Sequence, residues 1–146
     1  MSPYVVLRVV SKLLIPLIFL YGFYVHFHGE YSPGGGFAAG VVVGVGVILY
    51  ALIFGLQAAR KAVPPYWARI GMALGALIFA GVGFISLFMG GNYLDYTVLD
   101  PNRTYLGQHI GIVAVEFGVL VSVTAVIIAI FYAFAGRERP AGEAED

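Results

Sequence analysis

The chain has 146 residues, of which 60% are hydrophobic and 11% charged, and its formal net charge is zero. Soluble domains usually carry about 45 to 50% apolar and 25% charged residues, so this composition belongs in a lipid bilayer. The dispersed lysines and arginines exclude a nucleic-acid face, and the absence of cysteine excludes disulfides, thiolate nucleophiles, cysteine-ligated zinc and iron–sulfur ligation.

The first apolar run covers about residues 5–27. Arg8 and Lys12 stand one helical turn apart near its start, where long cationic stems reach the interface. No small-residue cleavage site follows, so this run is expected to remain as a first membrane helix rather than to leave as a signal peptide. It leads into HFHGEYSPGGGF, residues 26–37. His26 and His28 are two apart at a helix end and point to different faces, which makes a poor metal pair. Both are expected to be interface residues in water; a divalent site with Glu30 is the weaker alternative, and no metal or other cofactor is expected.

The second run covers about 35–58 and opens on three glycines. A Walker loop would need a lysine after its last glycine and then Ser or Thr; here Phe37, Ala38 and Ala39 follow, and Glu30 would repel an anion. A helix start fits better, with Ser32 as N-cap, Pro33 at the first helical position and Gly34, Gly35 and Gly36 in the first turn. Glycine there costs about 1 kcal/mol each against alanine. Three of them imply that something comes close to the backbone. Gly36, Gly40 and Gly44 continue as a small-xxx-small stripe, with Ala51 and Gly55 near it, suited to packing within the subunit or against another one.

ARKAVPPYWAR separates this run from the third, about 67–90. Pro64 and Pro65 block helix continuation and Trp67 sits at interface depth. GGNYLDYTVLDPNRTY follows, where turn formation and solvation account for Asp95 and Asp100. The fourth run covers about 106–135. Glu116 is ten residues past Leu106, so about 15 Å into the helix and near the bilayer middle. A carboxylate there costs at least about 2.5 kcal/mol unless protonated, hydrated or paired. His109, seven residues earlier, shares nearly the same face about 10 Å nearer the outer end. One expectation is an ion or proton path along His109 and Glu116; the other is that Glu116 is a neutral acid, or a hydrogen-bonded contact that fixes assembly. No catalytic residue is expected.

These runs describe an all-α integral membrane protein of four transmembrane helices in a single domain, 1–135, with a charged tail at 136–146 expected to be disordered. Lysines and arginines gather on the N-terminal flank, on the second connection and on the tail. The positive-inside rule therefore puts both termini in the cytoplasm and the HFHGEY turn outside.

PGGGF opening a second membrane helix just after an HG turn resembles the B subunit family of Mrp-type multisubunit sodium/proton antiporters, called MnhB or MrpB. It also resembles the related subunits of archaeal membrane-bound hydrogenases and sulfane reductases. RKAVPPYWARIGMALGALIFAGVGF is similar to the family's basic loop and glycine-rich third helix, and GIVAVEFGVLVSVTAVIIAI to its fourth, so the likeness runs from about Leu13 to Phe131. Bacterial members commonly read GHNAPGGGF. Alignment on Pro33 puts Glu30 where their histidine falls and His28 two positions earlier, which leaves both as outer-loop candidates without the family histidine's role.

The resemblance implies an accessory subunit in the cell membrane that is not an enzyme on its own. Its partners would be the other membrane subunits of an Mrp-type antiporter module, or hydrogenase-like or sulfane reductase-like subunits, with the proton paths in larger subunits. Ion-pumping subunits break helices at mid-membrane and bury lysines there; the present runs are plain and hold no deep lysine or arginine. Two alternatives stand beside this one. One is a self-sufficient four-helix proton-coupled transporter like the small multidrug transporters, a group that carries its glutamate in the first helix whereas the deep carboxylate here is in the fourth; the other is a membrane assembly scaffold, expected to be absent from the mature complex.

Overall fold

The computed structural model describes residues 3–29 and 33–137. It contains five α-helices: α1 (Pro3–His28), α2 (Gly36–Phe54), α3 (Leu56–Ala62), α4 (Pro65–Phe88) and α5 (Thr104–Ala135), with a 3₁₀ turn at Tyr96–Leu99. All but α3 are long and apolar enough to cross a membrane. Among the described residues there is no β-strand. Glu30, Ser32 and the tail beyond Arg137 lie outside the described residues, and with them the expected Ser32 cap.

Small residues set the order of the bundle. In lipid, helices gain no hydrophobic drive from one another, so close backbone packing has to hold them together. On α4, a Cβ at Gly75 would lie 2.5 Å from the Gly118 carbonyl oxygen of α5, and one at Gly118 would lie 2.9 Å from that of Gly75. On the other side of α5, a Cβ at Gly40 of α2 would lie 2.9 Å from Val123 Cβ, and one at Gly44 would lie 2.9 Å from Ile127 Cγ2. The glycine stripe of α2 therefore packs within the subunit, along the fourth membrane helix. The far side of α2 receives Phe19 of α1 at Gly46. The helices line up as α1, α2, α5, α4, and α1 barely meets α5.

The helices keep within about two residues of the expected runs except at the end of α2, and both ends of α2 differ for a backbone reason. Pro33 is not the first helical residue: α2 begins at Gly36 and is capped by Gly35, whose φ of 92° and ψ of −174° suit only glycine. The glycines thus form the approach to the helix rather than fill its first turn. At the other end, Gly55 takes φ 95° and stops α2 at Phe54, four residues before the expected limit of 58. The chain resumes as α3, which carries Arg60 and Lys61.

Arg60 ties this end together. Its guanidinium donates to the Tyr132 carbonyl oxygen at 3.4 Å, in the last turn of α5, and lies 5.8 Å from the Tyr132 ring centre. The Tyr132 hydroxyl donates to the Val63 carbonyl at 3.0 Å. A cation at a helix C-terminus complements both the dipole and the orphan carbonyls. Arg60→Ala is expected to lower stability by about 1 kcal/mol, read as a lower melting temperature in detergent. Lys61→Ala, whose side chain is exposed, is the comparison that should change little.

Candidate polar chamber at the glycine turn

Residues 33–35 lead directly into the side of α5. A Cβ at Gly35 would lie 3.0 Å from Glu116 Oε1, and one at Gly36 would overlap the Glu116 carbonyl oxygen. The PGGGF motif and the deep glutamate, which nothing in the sequence connects, are neighbours. The Gly35 N–H donates to the Val25 carbonyl at 3.3 Å, and the Ala39 N–H donates to the Gly35 carbonyl at 3.1 Å, so the turn is pinned to α1 and to its own helix. The positive end of the α2 dipole thereby stands beside the Glu116 carboxylate.

The contacts also fix a level. Gly36 faces Glu116, Gly40 faces Leu120 and Val123, and Gly44 faces Ile127, so α2 and α5 run parallel. Glu116 is twelve residues past Thr104, so the first turns of α5 rise about 18 Å beyond the start of α2. Along that stretch α5 has no α2 neighbour on this side, and a recess opens between it and the end of α1. A cavity of about 230 Å³ there is lined by His26, Phe27, His109, Ile112, Val113 and Glu116. A wider groove of about 460 Å³ shares His26, Phe27, His109 and Val113 and continues along Ile110, Ala114 and Phe117.

His109 and Glu116 thus line one chamber, as their spacing suggests, and both are half-buried. Gly35, Gly36, Gly40 and Gly44 are buried against α5, whereas Pro33 and Gly34 are exposed and Phe37 is 66% exposed, directed away from the bundle. His28 is exposed and stacks on Tyr24, with ring centres 5.1 Å apart.

His26 departs from expectation. It is not an interface residue in water but is 5% exposed, packed against Phe27 and Phe117, and its Nδ1 is buried without a hydrogen-bond partner. The signal was present in the sequence. Ser11, Ile15, Gly22 and His26 recur at helical spacing, and all four are buried. The Thr124 hydroxyl donates across the seam to the Gly40 carbonyl of α2, at 3.1 Å.

The loop between α4 and α5 is held by its carboxylates. Asp95 accepts hydrogen bonds from the Thr97 hydroxyl and the Thr97 N–H, and Asp100 accepts from the backbone N–H groups of Asn102 and Arg103. The Thr97 hydroxyl, then its N–H, holds the Asp95 carboxyl below its ordinary value of 3.8. The folded value is the depressed one, so the turn keeps this contribution above 3.8 and loses it as pH falls through the folded value. An NMR titration of the Thr97 amide is expected to show a midpoint below 3.8. A midpoint at or above that value would contradict the bonding. Among the described residues, no three His, Asp or Glu side chains come together to hold a metal ion.

Comparison with known proteins agrees along the length of the chain. Residues 6–129 match the family model described as a domain related to the MnhB subunit of Na+/H+ antiporters. Similar relatives include proteins named as antiporter subunit mnhB2 in Staphylococcus aureus strains Newman, JH1 and COL. Each is 34% identical over 134 residues, covering 90% of this chain and 94% of the relative. With four helices able to cross the bilayer and this match over most of its length, the chain is a multi-pass membrane protein that belongs to the family of MnhB-related subunits.

Proposed function

We propose that the chain is an accessory membrane subunit of a multisubunit Na+/H+ antiporter, without catalytic activity of its own and without a complete ion path of its own. The carrying observation is where the polar groups stop. His26, His109 and Glu116 line the chamber at the glycine turn. Beyond Glu116 the seam continues as Gly40 against Leu120 and Val123 and Gly44 against Ile127, with the Thr124 hydroxyl already bonded to the Gly40 carbonyl. Such a seam gives an ion no polar groups to replace its hydration, and crossing it would cost several kcal/mol. The chamber therefore serves as a half-path along His109 and Glu116, completed by a neighbouring subunit.

The membrane orientation follows the positive-inside rule. Arg60 of α3 meets the C-terminal end of α5. That end is cytoplasmic, with both termini and the α3–α4 connection, and the glycine turn with His28 faces outward. Partners are the larger membrane subunits of the antiporter. Deleting the chain should abolish Na+/H+ exchange by the host complex, and the tagged chain should copurify with those subunits in fixed stoichiometry. Absence from the mature complex would identify an assembly scaffold instead. Copurifying hydrogenase-like or sulfane reductase-like proteins would place the module in a respiratory complex.

A further inference from the structure

His26 lines the chamber, but the half-path along His109 and Glu116 assigns it no role. Its side chain lines both the 230 Å³ cavity and the 460 Å³ groove, it is 5% exposed, and its buried Nδ1 has no hydrogen-bond partner. Leaving a buried polar nitrogen unsatisfied costs about 1–3 kcal/mol, and an aliphatic or phenyl side chain would fill the same place without that cost. The adjoining space is far above the roughly 15 Å³ that one water molecule needs, and it contains polar partners at His109 and Glu116. Nδ1 itself is sealed from water-sized contact, so any exchange with the cavity runs through the other ring nitrogen.

We propose that the cavity is a water-filled proton chamber in which His26 is a proton-exchanging residue, passing protons through water to and from the Glu116 carboxylate. This rests on the antiporter-subunit reading for the source of the proton flux, while the presence of the water does not depend on it. The step is a plain proton transfer. An imidazole nitrogen takes a proton from a hydronium ion in the chamber, leaving water; the resulting imidazolium gives a proton back to the water chain, and the far end of that chain delivers one to the carboxylate, which becomes the neutral acid. N–H and O–H bonds alone form and break, and no electron changes hands. Imidazole is the side chain suited to this near neutral pH. The ionisable groups facing it from α5 are His109 and Glu116; on its own helix His28 is exposed beside Tyr24, and α2 has no ionisable side chain before Tyr50.

Two measurements on the assembled complex test this. His26→Gln preserves polarity and approximate size but does not titrate near neutral pH. It is expected to assemble at wild-type level, to slow Na+-driven proton movement about tenfold, and to flatten its pH dependence. An unchanged rate and pH profile in an assembled His26→Gln complex would overturn the proposal. The second measurement does not depend on that variant folding. The chain contains no cysteine, so Val113→Cys in the chamber wall carries its one thiol, and labelling by a charged, water-soluble methanethiosulfonate reports water there. Val113→Cys is expected to react and Val123→Cys, packed on Gly40, to resist. An unreactive Val113→Cys would overturn the chamber. Exchange that survives deletion of the chain would instead sink the antiporter-subunit reading, and leaves the thiol result to stand by itself.

Discussion

Replacing Gly36 by leucine is expected to remove most of the folded chain from the membrane. A Cβ at this position overlaps the Glu116 carbonyl oxygen, an atom fixed by α5 itself, so no side-chain rotation relieves the clash. The helices would have to separate, and the packing at Gly40 and Gly44 further along the same seam would open with them. Overpacking alone usually costs about 1–3 kcal/mol, and a clash between backbones belongs at the upper end or beyond. Membrane helices held by close packing have little else to replace it. Gly81→Ala provides the contrast, since a Cβ there meets nothing within 4 Å. Immunoblots of membranes should show the Gly36→Leu chain depleted several-fold and Gly81→Ala at wild-type level. A Gly36→Leu chain at normal abundance, copurifying normally, would show that α2 and α5 do not meet as described.

Glu116→Gln is expected to separate transport from assembly. Glutamine keeps the length and much of the hydrogen bonding of the carboxylate, and Gly35 leaves space beside it, so the complex should form. What glutamine lacks is a proton to exchange. If protons pass through the chamber, Na+/H+ exchange should fall by about 10²-fold while the subunits still copurify. Unchanged exchange in an intact Glu116→Gln complex would reduce Glu116 to a packing contact for the glycine turn. Loss of the complex together with its activity would assign it to assembly.

The membrane helices were legible because the bilayer imposes a simple rule: each crossing needs about 20 apolar residues, and four runs of the sequence satisfy it. The packing role of the α2 glycines was legible too, since Gly36, Gly40 and Gly44 are spaced for one face, although which helix they meet was not. Gly35 and Glu116 are 81 residues apart in the chain, and no local pattern joins them. The end of α2 was misjudged because apolar residues continue up to Gly55 and just past it. Only the backbone shows the glycine turning at φ 95°. His26 was misjudged by comparing it with His28, its near neighbour, instead of with Gly22 one turn back, which shares its buried face. The chamber is thus lined from two stretches far apart in the chain, the end of α1 and the first turns of α5, and the sequence reading singled out together only the two ionisable residues that share α5.

Reconstitution addresses the central claim most directly. Proteoliposomes holding the purified chain alone, the host complex lacking it, and the complete complex should be compared for proton movement on addition of Na+. An accessory subunit without a path of its own predicts exchange in the complete complex and none in the other two. Exchange by the purified chain alone would contradict it and make this four-helix protein a transporter in its own right.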